Sequence, residues 1–112
     1  MYKRQRIVLR NRAPFAFAGL WDEWTNPETK DLLRSCAIIT TSPNSLVAAI
    51  HDRMPVILPP SDYAAWLDTT TENPQTLMEF IGPYPSEEMA IYQVSNAVGN
   101  VKNTGAELID PV

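Results

Sequence analysis

The stretch that most constrains the fold is residues 48–58, AAIHDRMPVIL, which contains the only histidine of the 112-residue chain. A helical pattern of apolar residues precedes this histidine, and a strand pattern follows it. His51, Asp52 and Arg53 therefore form a polar turn that apolar segments fix at both ends. Polar residues on a loop that a rigid scaffold positions commonly carry function, so the site is expected here.

The composition is that of one globular domain without membrane contacts. Apolar residues make up 45% of the chain and charged residues 20%. No run of about 18 apolar residues and no signal-peptide pattern occurs, so we expect a cytoplasmic protein. The single cysteine, Cys36, cannot form an internal disulfide, and with one histidine it cannot complete a four-ligand zinc site. We therefore expect neither a metal nor another cofactor.

The first twelve residues hold a cluster of positive charges, formed by Lys3, Arg4, Arg6, Arg10 and Arg12. Residues 1–5, MYKRQ, look like translated adapter sequence, so we expect the native chain to begin near Arg6 and residues 6–112 to be part of a single domain. Without Lys3 and Arg4 the formal charge falls from −4 to −6. A negative net charge argues against a general nucleic-acid coat protein but is compatible with a local phosphate site. We interpret the basic cluster as a solvated strand face and not as a nucleic-acid arm.

Apolar runs separated by turn residues predict five strands. These strands cover residues 7–9, 15–21, 32–41, 54–58 and 90–94, while loops cover residues 11–14, 22–29 and 95–102. Both faces of the strand over 15–21 are apolar, which is typical of an internal strand. The short run over 54–58 is predicted to be buried.

Capping residues predict three short helices between these strands. Ser42 precedes a proline and is expected to open a helix whose apolar face is buried and whose C-terminal end carries His51. Ser61 is expected to cap a second helix and Asn73 a third. Gly82 is expected to end the third helix in the left-handed conformation.

The residues alone leave the role of His51 open. A metal-dependent phosphohydrolase would need further histidine and aspartate ligands beside His51 and Asp52, and no second histidine exists. A nucleophilic pair with Cys36 is the second option, but Cys36 lies in an apolar run, which favours an inert core thiol. The third option is a half-buried histidine that closes a helix and has no chemical role. A helix C-terminus favours the imidazolium and burial disfavours it, so the sequence does not decide the protonation state.

The order of several motifs resembles the second half of the SOS response-associated peptidase (SRAP) family. The motifs are APFAFAGLWDEW over residues 13–24, IITT over 38–41, IHDRMPVIL over 50–58 and VSNAVGNVKNTGAELIDPV over 94–112. Within this framework HDRMP is a specific signal, and the likeness covers nearly everything after Arg6. Gln93 departs from the pattern, because the family commonly has proline before the Val-Ser pair.

This resemblance implies an α+β fold that is predominantly β, with mixed sheets or an open barrel and short helices, truncated at its N-terminal half. It implies a DNA-damage-response protein that crosslinks covalently to abasic sites in single-stranded DNA through an N-terminal cysteine. By position, His51 matches the family's catalytic histidine, which acts on the sugar oxygen and the leaving water. Arg53 is expected to contact a phosphate and Thr40 to line the pocket.

The resemblance also implies that several family motifs lie outside this sequence. The Met-Cys-Gly-Arg start, the Asn-Ala-Arg-x-Glu segment and the glutamate of an aromatic Glu-Trp motif belong to the other half of the domain. Cys36 cannot replace the N-terminal cysteine, because its backbone nitrogen is in a peptide bond and cannot form an imine. We therefore expect the chain by itself to be inactive in crosslinking, and the complete protein to be a monomer.

Two other functional classes remain open. The family name suggests a cysteine-type peptidase of the SOS response, in which the N-terminal cysteine and the histidine would process the initiator methionine. A non-enzymatic binding module that folds from these residues alone is the other class. Half of a β domain is expected to leave strand edges and apolar surface uncovered, which predicts poor solubility for the isolated chain.

Overall fold

The computed structural model describes residues 4–112. The first three residues of the predicted adapter segment lie outside the described residues, and its last residue, Gln5, begins the first strand. That strand pairs antiparallel with a strand near the C-terminus, with Gln5 opposite Gln93 and Leu9 opposite Met89. The origin of residues 1–5 stays a prediction.

Across residues 4–112 both the strands and the helices are short. The strands are β1 (Gln5–Leu9), β2 (Ala16–Phe17), β3 (Gly19–Thr25), β4 (Leu32–Ile38), β5 (Thr40–Thr41), β6 (Met54–Pro55), β7 (Ile57–Leu58) and β8 (Met89–Gln93). The α-helices are α1 (Tyr63–Leu67) and α2 (Pro74–Met78), and 3₁₀ helices cover Val47–Ala49, Pro60–Asp62, Ser86–Glu88, Asn96–Gly99 and Ala106–Ile109. No closed barrel forms within this part of the chain. The predicted α+β, mainly β class is confirmed.

Three extended segments meet at a junction formed by Ala18, Ile39 and Val56. The N–H of Ala18 donates to the Val56 carbonyl at 2.8 Å, and the N–H of Val56 donates to the Ile39 carbonyl at 2.8 Å. The N–H of Ile39 closes the ring by donating to the Ala18 carbonyl at 3.0 Å. Each segment therefore changes its partner at the junction: β2 pairs with β7, β3 with β4 and β5 with β6. This exchange divides three of the predicted strands in two.

The hairpin of β3 and β4 extends away from this junction, and every residue in both strands is exposed. Two predictions are therefore wrong: residues 15–21 are not one internal strand, and residues 22–25 are strand and not loop. Pairing across the hairpin, with Trp24 opposite Leu33, holds residues 22–25 extended although their composition is polar. The turn is confirmed at Asn26, whose Oδ1 accepts from the N–H of Glu28 at 2.8 Å.

Cys36 lies on this hairpin, opposite Trp21 in β3. Its thiol is exposed, so the prediction of an inert core thiol is wrong. The apolar neighbours of Cys36 in sequence suggested a buried strand. The two core clusters, however, contain no residue of β3 or β4, and these two strands pair only with each other.

The predicted helix at Ser42 does not form, and Asn44 caps the turn instead. Asn44 Oδ1 accepts hydrogen bonds from the N–H groups of Leu46 at 3.1 Å and Val47 at 2.9 Å. Asn44 Nδ2 also donates to the Tyr84 carbonyl at 2.7 Å. This tertiary contact favours Asn44 over Ser42 as the cap. A single turn of 3₁₀ helix, Val47–Ala49, follows.

Of the other predicted helix ends, the one at Asn73 is confirmed and those at Ser61 and Gly82 are wrong. Asn73 caps α2 as predicted, its side chain accepting from the N–H of Gln75 at 3.0 Å. Ser61 does not cap α1, because it lies inside the 3₁₀ turn that leads into the helix. Gly82 does not adopt the left-handed conformation, since no glycine in the described chain has a positive φ.

Two core clusters pack on either side of β7. The first contains five buried side chains: Leu9, Val47, Met54, Ile57 and Met89. The second contains three: Ala18, Val56 and Leu58. The predicted burial of residues 54–58 is thereby confirmed, with only Pro55 partly exposed. Neither α1 nor α2 is long and apolar enough to cross a membrane, and no other helix in residues 4–112 is. The first cluster supports the segment that carries His51.

Candidate functional site

One cavity, of about 520 Å³, brings together all three residues that the sequence indicated: Thr40, His51 and Arg53. Its remaining wall is largely apolar and includes Phe15 and Phe17. A concave apolar pocket with a few convergent polar groups is the usual form of a small-ligand site, and this volume is in the usual range.

Arg53 is held against Thr40 by three hydrogen bonds. Its Nη2 donates to the Thr40 carbonyl at 2.8 Å and to Oγ1 at 2.9 Å, and its Nε donates to Oγ1 at 3.3 Å. The register of β5 and β6 allows this contact, because Thr40 pairs with Pro55 and the side chain two residues before Pro55, that of Arg53, lies diagonally across from Thr40. The predicted pair is thus one structural unit.

The guanidinium of Arg53 keeps its positive charge without compensation. No carboxylate in the described chain forms an ion pair with it, and its side chain is exposed. Its described hydrogen bonds use Nε and Nη2, and none of them uses Nη1. A planar guanidinium with one edge fixed and the other edge open suits a phosphate oxygen.

The His51 ring has partners for either protonation state of Nδ1. The N–H of Arg53 donates to Nδ1 at 3.0 Å, which requires Nδ1 without a proton. The Arg53 carbonyl lies 3.1 Å from the same atom and Asp52 Oδ1 lies 3.2 Å from it, and both can accept when Nδ1 carries a proton. The Arg53 backbone therefore offers Nδ1 both a donor and an acceptor, and the tautomer of the ring decides which of them it uses.

Asp52 is not a buried orienting carboxylate. Its side chain is 92% exposed and that of His51 is 66% exposed. An exposed pair of this kind contributes at most about 1 kcal/mol. The orientation of the ring therefore comes from the backbone of Arg53.

The Asn44 cap also fixes the backbone of the turn that carries His51. The capped Val47 accepts hydrogen bonds through its carbonyl from the N–H groups of Ile50 and His51, both at 2.9 Å. Sequence reasoning missed Asn44, although asparagine before an apolar run is a capping signal. It also missed Phe15 and Phe17 as cavity residues, with ring centroids 5.7 Å apart, because it placed them inside a sheet.

Cys36 takes no part in this site. It lies on the β3–β4 hairpin and does not line the cavity. Among residues 4–112, no three histidine, cysteine, aspartate or glutamate side chains are grouped so that they could hold a metal ion. What the cavity offers is an imidazole, a guanidinium and aromatic surface.

Residues 3–101 match the family model described as SOS response associated peptidase (SRAP). The chain belongs to the SRAP family. Its fold matches a crystal structure of a Bacteroides thetaiotaomicron protein with a TM-score of 0.84, at 24% identity, over 96% of this chain and 47% of that one. The resemblance inferred from the motifs is thus confirmed.

Curated SRAP relatives are named abasic site processing proteins. The chain is 45% identical to YoqW of Bacillus subtilis over 105 residues, which are 94% of this chain and 46% of that protein. It is 35% identical to HMCES of Pongo abelii, over 85% of this chain and 27% of that one, and 35% identical to YedK of Escherichia coli, over 76% and 39%. The chain spans less than half the length of these relatives.

Proposed function

We propose that this chain forms part of a site for abasic DNA, with Arg53 bound to a phosphate and His51 beside the open sugar. The observation that carries the proposal is the cavity at which an uncompensated guanidinium and an exposed imidazole meet on an apolar wall. The names of the curated relatives support the substrate class.

The parts of the cavity suit different parts of a nucleotide without its base. Arg53, which Thr40 holds in place, would bind the phosphate next to the damaged sugar. The rings of Phe15 and Phe17 offer apolar faces to the sugar or to a neighbouring base. Single-stranded DNA fits better than a duplex, because the sugar must enter a pocket.

The covalent chemistry of the complete protein would use an N-terminal cysteine, as the family resemblance implies. Its α-amine adds to the sugar aldehyde and water leaves, which gives an imine. The thiol then adds to the imine carbon and the proton moves to nitrogen, which closes a thiazolidine. His51 would donate a proton to the leaving oxygen, a step that general acid catalysis accelerates. Cys36 cannot replace that cysteine, because its backbone nitrogen is in a peptide bond.

A chimaera tests this proposal directly. In it, the chain replaces the 105-residue segment of Bacillus subtilis YoqW that it matches. We expect the chimaera to form a covalent adduct with an abasic single-stranded oligonucleotide that survives denaturing electrophoresis. An oligonucleotide with a base at every position should give no adduct. Absence of an adduct from a folded chimaera, when unmodified YoqW forms one, would refute the proposal.

The same chimaera separates the alternative of a cysteine-type peptidase, which the family description favours. Turnover of unrelated peptides that depends on His51, without a DNA adduct, would support the peptidase. A binding module would bind the oligonucleotide reversibly and give neither product. A cytoplasmic location and a monomeric state stay predictions.

A further inference from the structure

Two arginines lie against one tyrosine on the β1–β8 ribbon, outside the site described above. The guanidinium carbon of Arg6 is 5.9 Å from the ring centroid of Tyr92, and that of Arg12 is 5.4 Å from it. The strand register causes the first contact, because Arg6 pairs directly with Tyr92. Arg6 Nη1 donates to the Tyr92 hydroxyl at 2.7 Å, and this hydroxyl donates to the Ile109 carbonyl at 2.8 Å. The Tyr92 hydroxyl is therefore fixed by one donor and one acceptor, and two cations lie near its ring.

Neither of these arginines has an acidic partner. The ion pairs in the described chain are Arg34 with Glu23 and His51 with Asp52. No aspartate or glutamate occurs before Asp22, so the segment is positive in a chain whose net charge is −4. Two guanidinium groups on one ring repel each other, and the ring offsets only part of that repulsion. A bound anion would offset this excess positive charge.

Arg12 lies in an uncommon backbone conformation. Its φ is 62°, which is uncommon for a residue with a side chain, and its N–H donates to the Leu9 carbonyl at 2.9 Å. Glycine or asparagine would fit this turn with less strain. Strained conformations of this type are concentrated at functional sites.

A second cavity, of about 450 Å³, is lined by Arg6 and Arg12. It shares Ile7 and Phe15 with the cavity of His51. The two cavities therefore have two lining residues in common.

We infer that Arg6 and Arg12 bind the phosphate backbone of the DNA strand that runs from the His51 cavity across Phe15. The inference rests on the proposed function for the direction of the strand. Guanidinium groups bind phosphate oxygens through paired N–H donors, and single-stranded DNA is commonly bound by a positive groove with aromatic faces. It differs from the expectation of a solvated strand face in giving these side chains a ligand; Arg6 is half-buried, Arg12 is exposed, and both lie near Tyr92.

The test uses substitutions that remove charge and keep the local structure. Arg6→Gln keeps a donor for the Tyr92 hydroxyl, and Arg12→Asn suits the positive φ. The control is Arg10→Gln: Arg10 lies in the same segment, but its Nε donates to the carbonyl of Glu87 and it has no described contact with the Tyr92 ring. The chimaera defined above carries each change. Circular dichroism and a thermal melt establish that each variant is folded.

Binding of a single-stranded oligonucleotide with a tetrahydrofuran abasic analogue is measured by fluorescence anisotropy from 50 to 200 mM salt. Each lost phosphate contact should lower the slope of log affinity against log salt by about 0.7. The salt-induced loss of affinity over this range should then be smaller by about 2.6-fold for each substitution. The double variant should show twice the change in slope, and Arg10→Gln should show none.

Two results would overturn the inference. One is a salt slope that stays unchanged in the folded double variant. The other is an equal change in the Arg10→Gln control. Adduct formation by the wild-type chimaera, measured separately, decides the proposed function. An adduct with an unchanged slope refutes only the phosphate site, whereas a changed slope without an adduct refutes only the covalent chemistry.

Discussion

Replacing Asn44 with alanine should destabilise the domain by about 2 kcal/mol. About 1 kcal/mol comes from the lost cap, because the N–H groups of Leu46 and Val47 lose their acceptor. About 1 kcal/mol more comes from the hydrogen bond of Nδ2 to the Tyr84 carbonyl, which is partly buried. Urea denaturation of the chimaera, followed by circular dichroism, measures the free energy of unfolding.

Two further variants separate the causes. Asn44→Ser keeps a capping oxygen without the amide donor, so about half of the loss should remain. Ser42→Ala removes the cap that the sequence predicted and should be neutral, because the Ser42 side chain is exposed and has no described hydrogen bond. Equal losses for Ser42→Ala and Asn44→Ala, or no loss for Asn44→Ala, would refute this account of the turn that carries His51.

Three further outcomes are expected. Thr40→Val should raise the Kd for the tetrahydrofuran oligonucleotide about tenfold through loss of one acceptor for Arg53, while Thr41→Val leaves it unchanged; equal Kd values would contradict this. Trp21, 68% exposed, should promote self-association of the isolated 112-residue chain, so Trp21→Lys should reduce it in sedimentation velocity; a wild-type chain that stays monomeric at every concentration would contradict this. The Thr70 hydroxyl and N–H lower the pKa of Asp68, so Thr70→Val should raise that pKa in an NMR titration. Because the folded pKa is lowered, any stability from this contact is present above the unfolded pKa and lost as pH falls through the folded pKa; an unchanged pKa would contradict the assignment.

Thr40, His51 and Arg53 line one cavity because the sequence motif and the strand register bring them together. The polar turn at His51 lies between segments that are in fact buried on both sides, at Val47 and Met54. Pairing of β5 with β6 then places Thr40 beside Arg53. The sequence could indicate the residues of this turn, but their hydrogen bonds depend on a strand pairing that no local pattern contains.

The breaks that divide three of the predicted strands also depend on long-range pairing, so the sequence could not predict them. Hydrophobic patterns continue through Ala18, Ile39 and Val56, yet each segment changes its partner at these residues. A partner exchange is a long-range property, and alternation of side chains along one segment does not report it. The exposure of Cys36 was missed for the same reason, since an apolar run indicates burial only when something packs against it.

The rate of adduct formation in the His51→Ala chimaera tests the central claim most directly. General acid or base catalysis typically contributes at least about 100-fold, so the rate constant at saturating abasic oligonucleotide should fall by about that factor. The Kd for the tetrahydrofuran analogue should change little, because Arg53 remains. An unchanged rate constant, in a variant that still folds and binds, would contradict the role of His51 as the group that moves protons at the sugar.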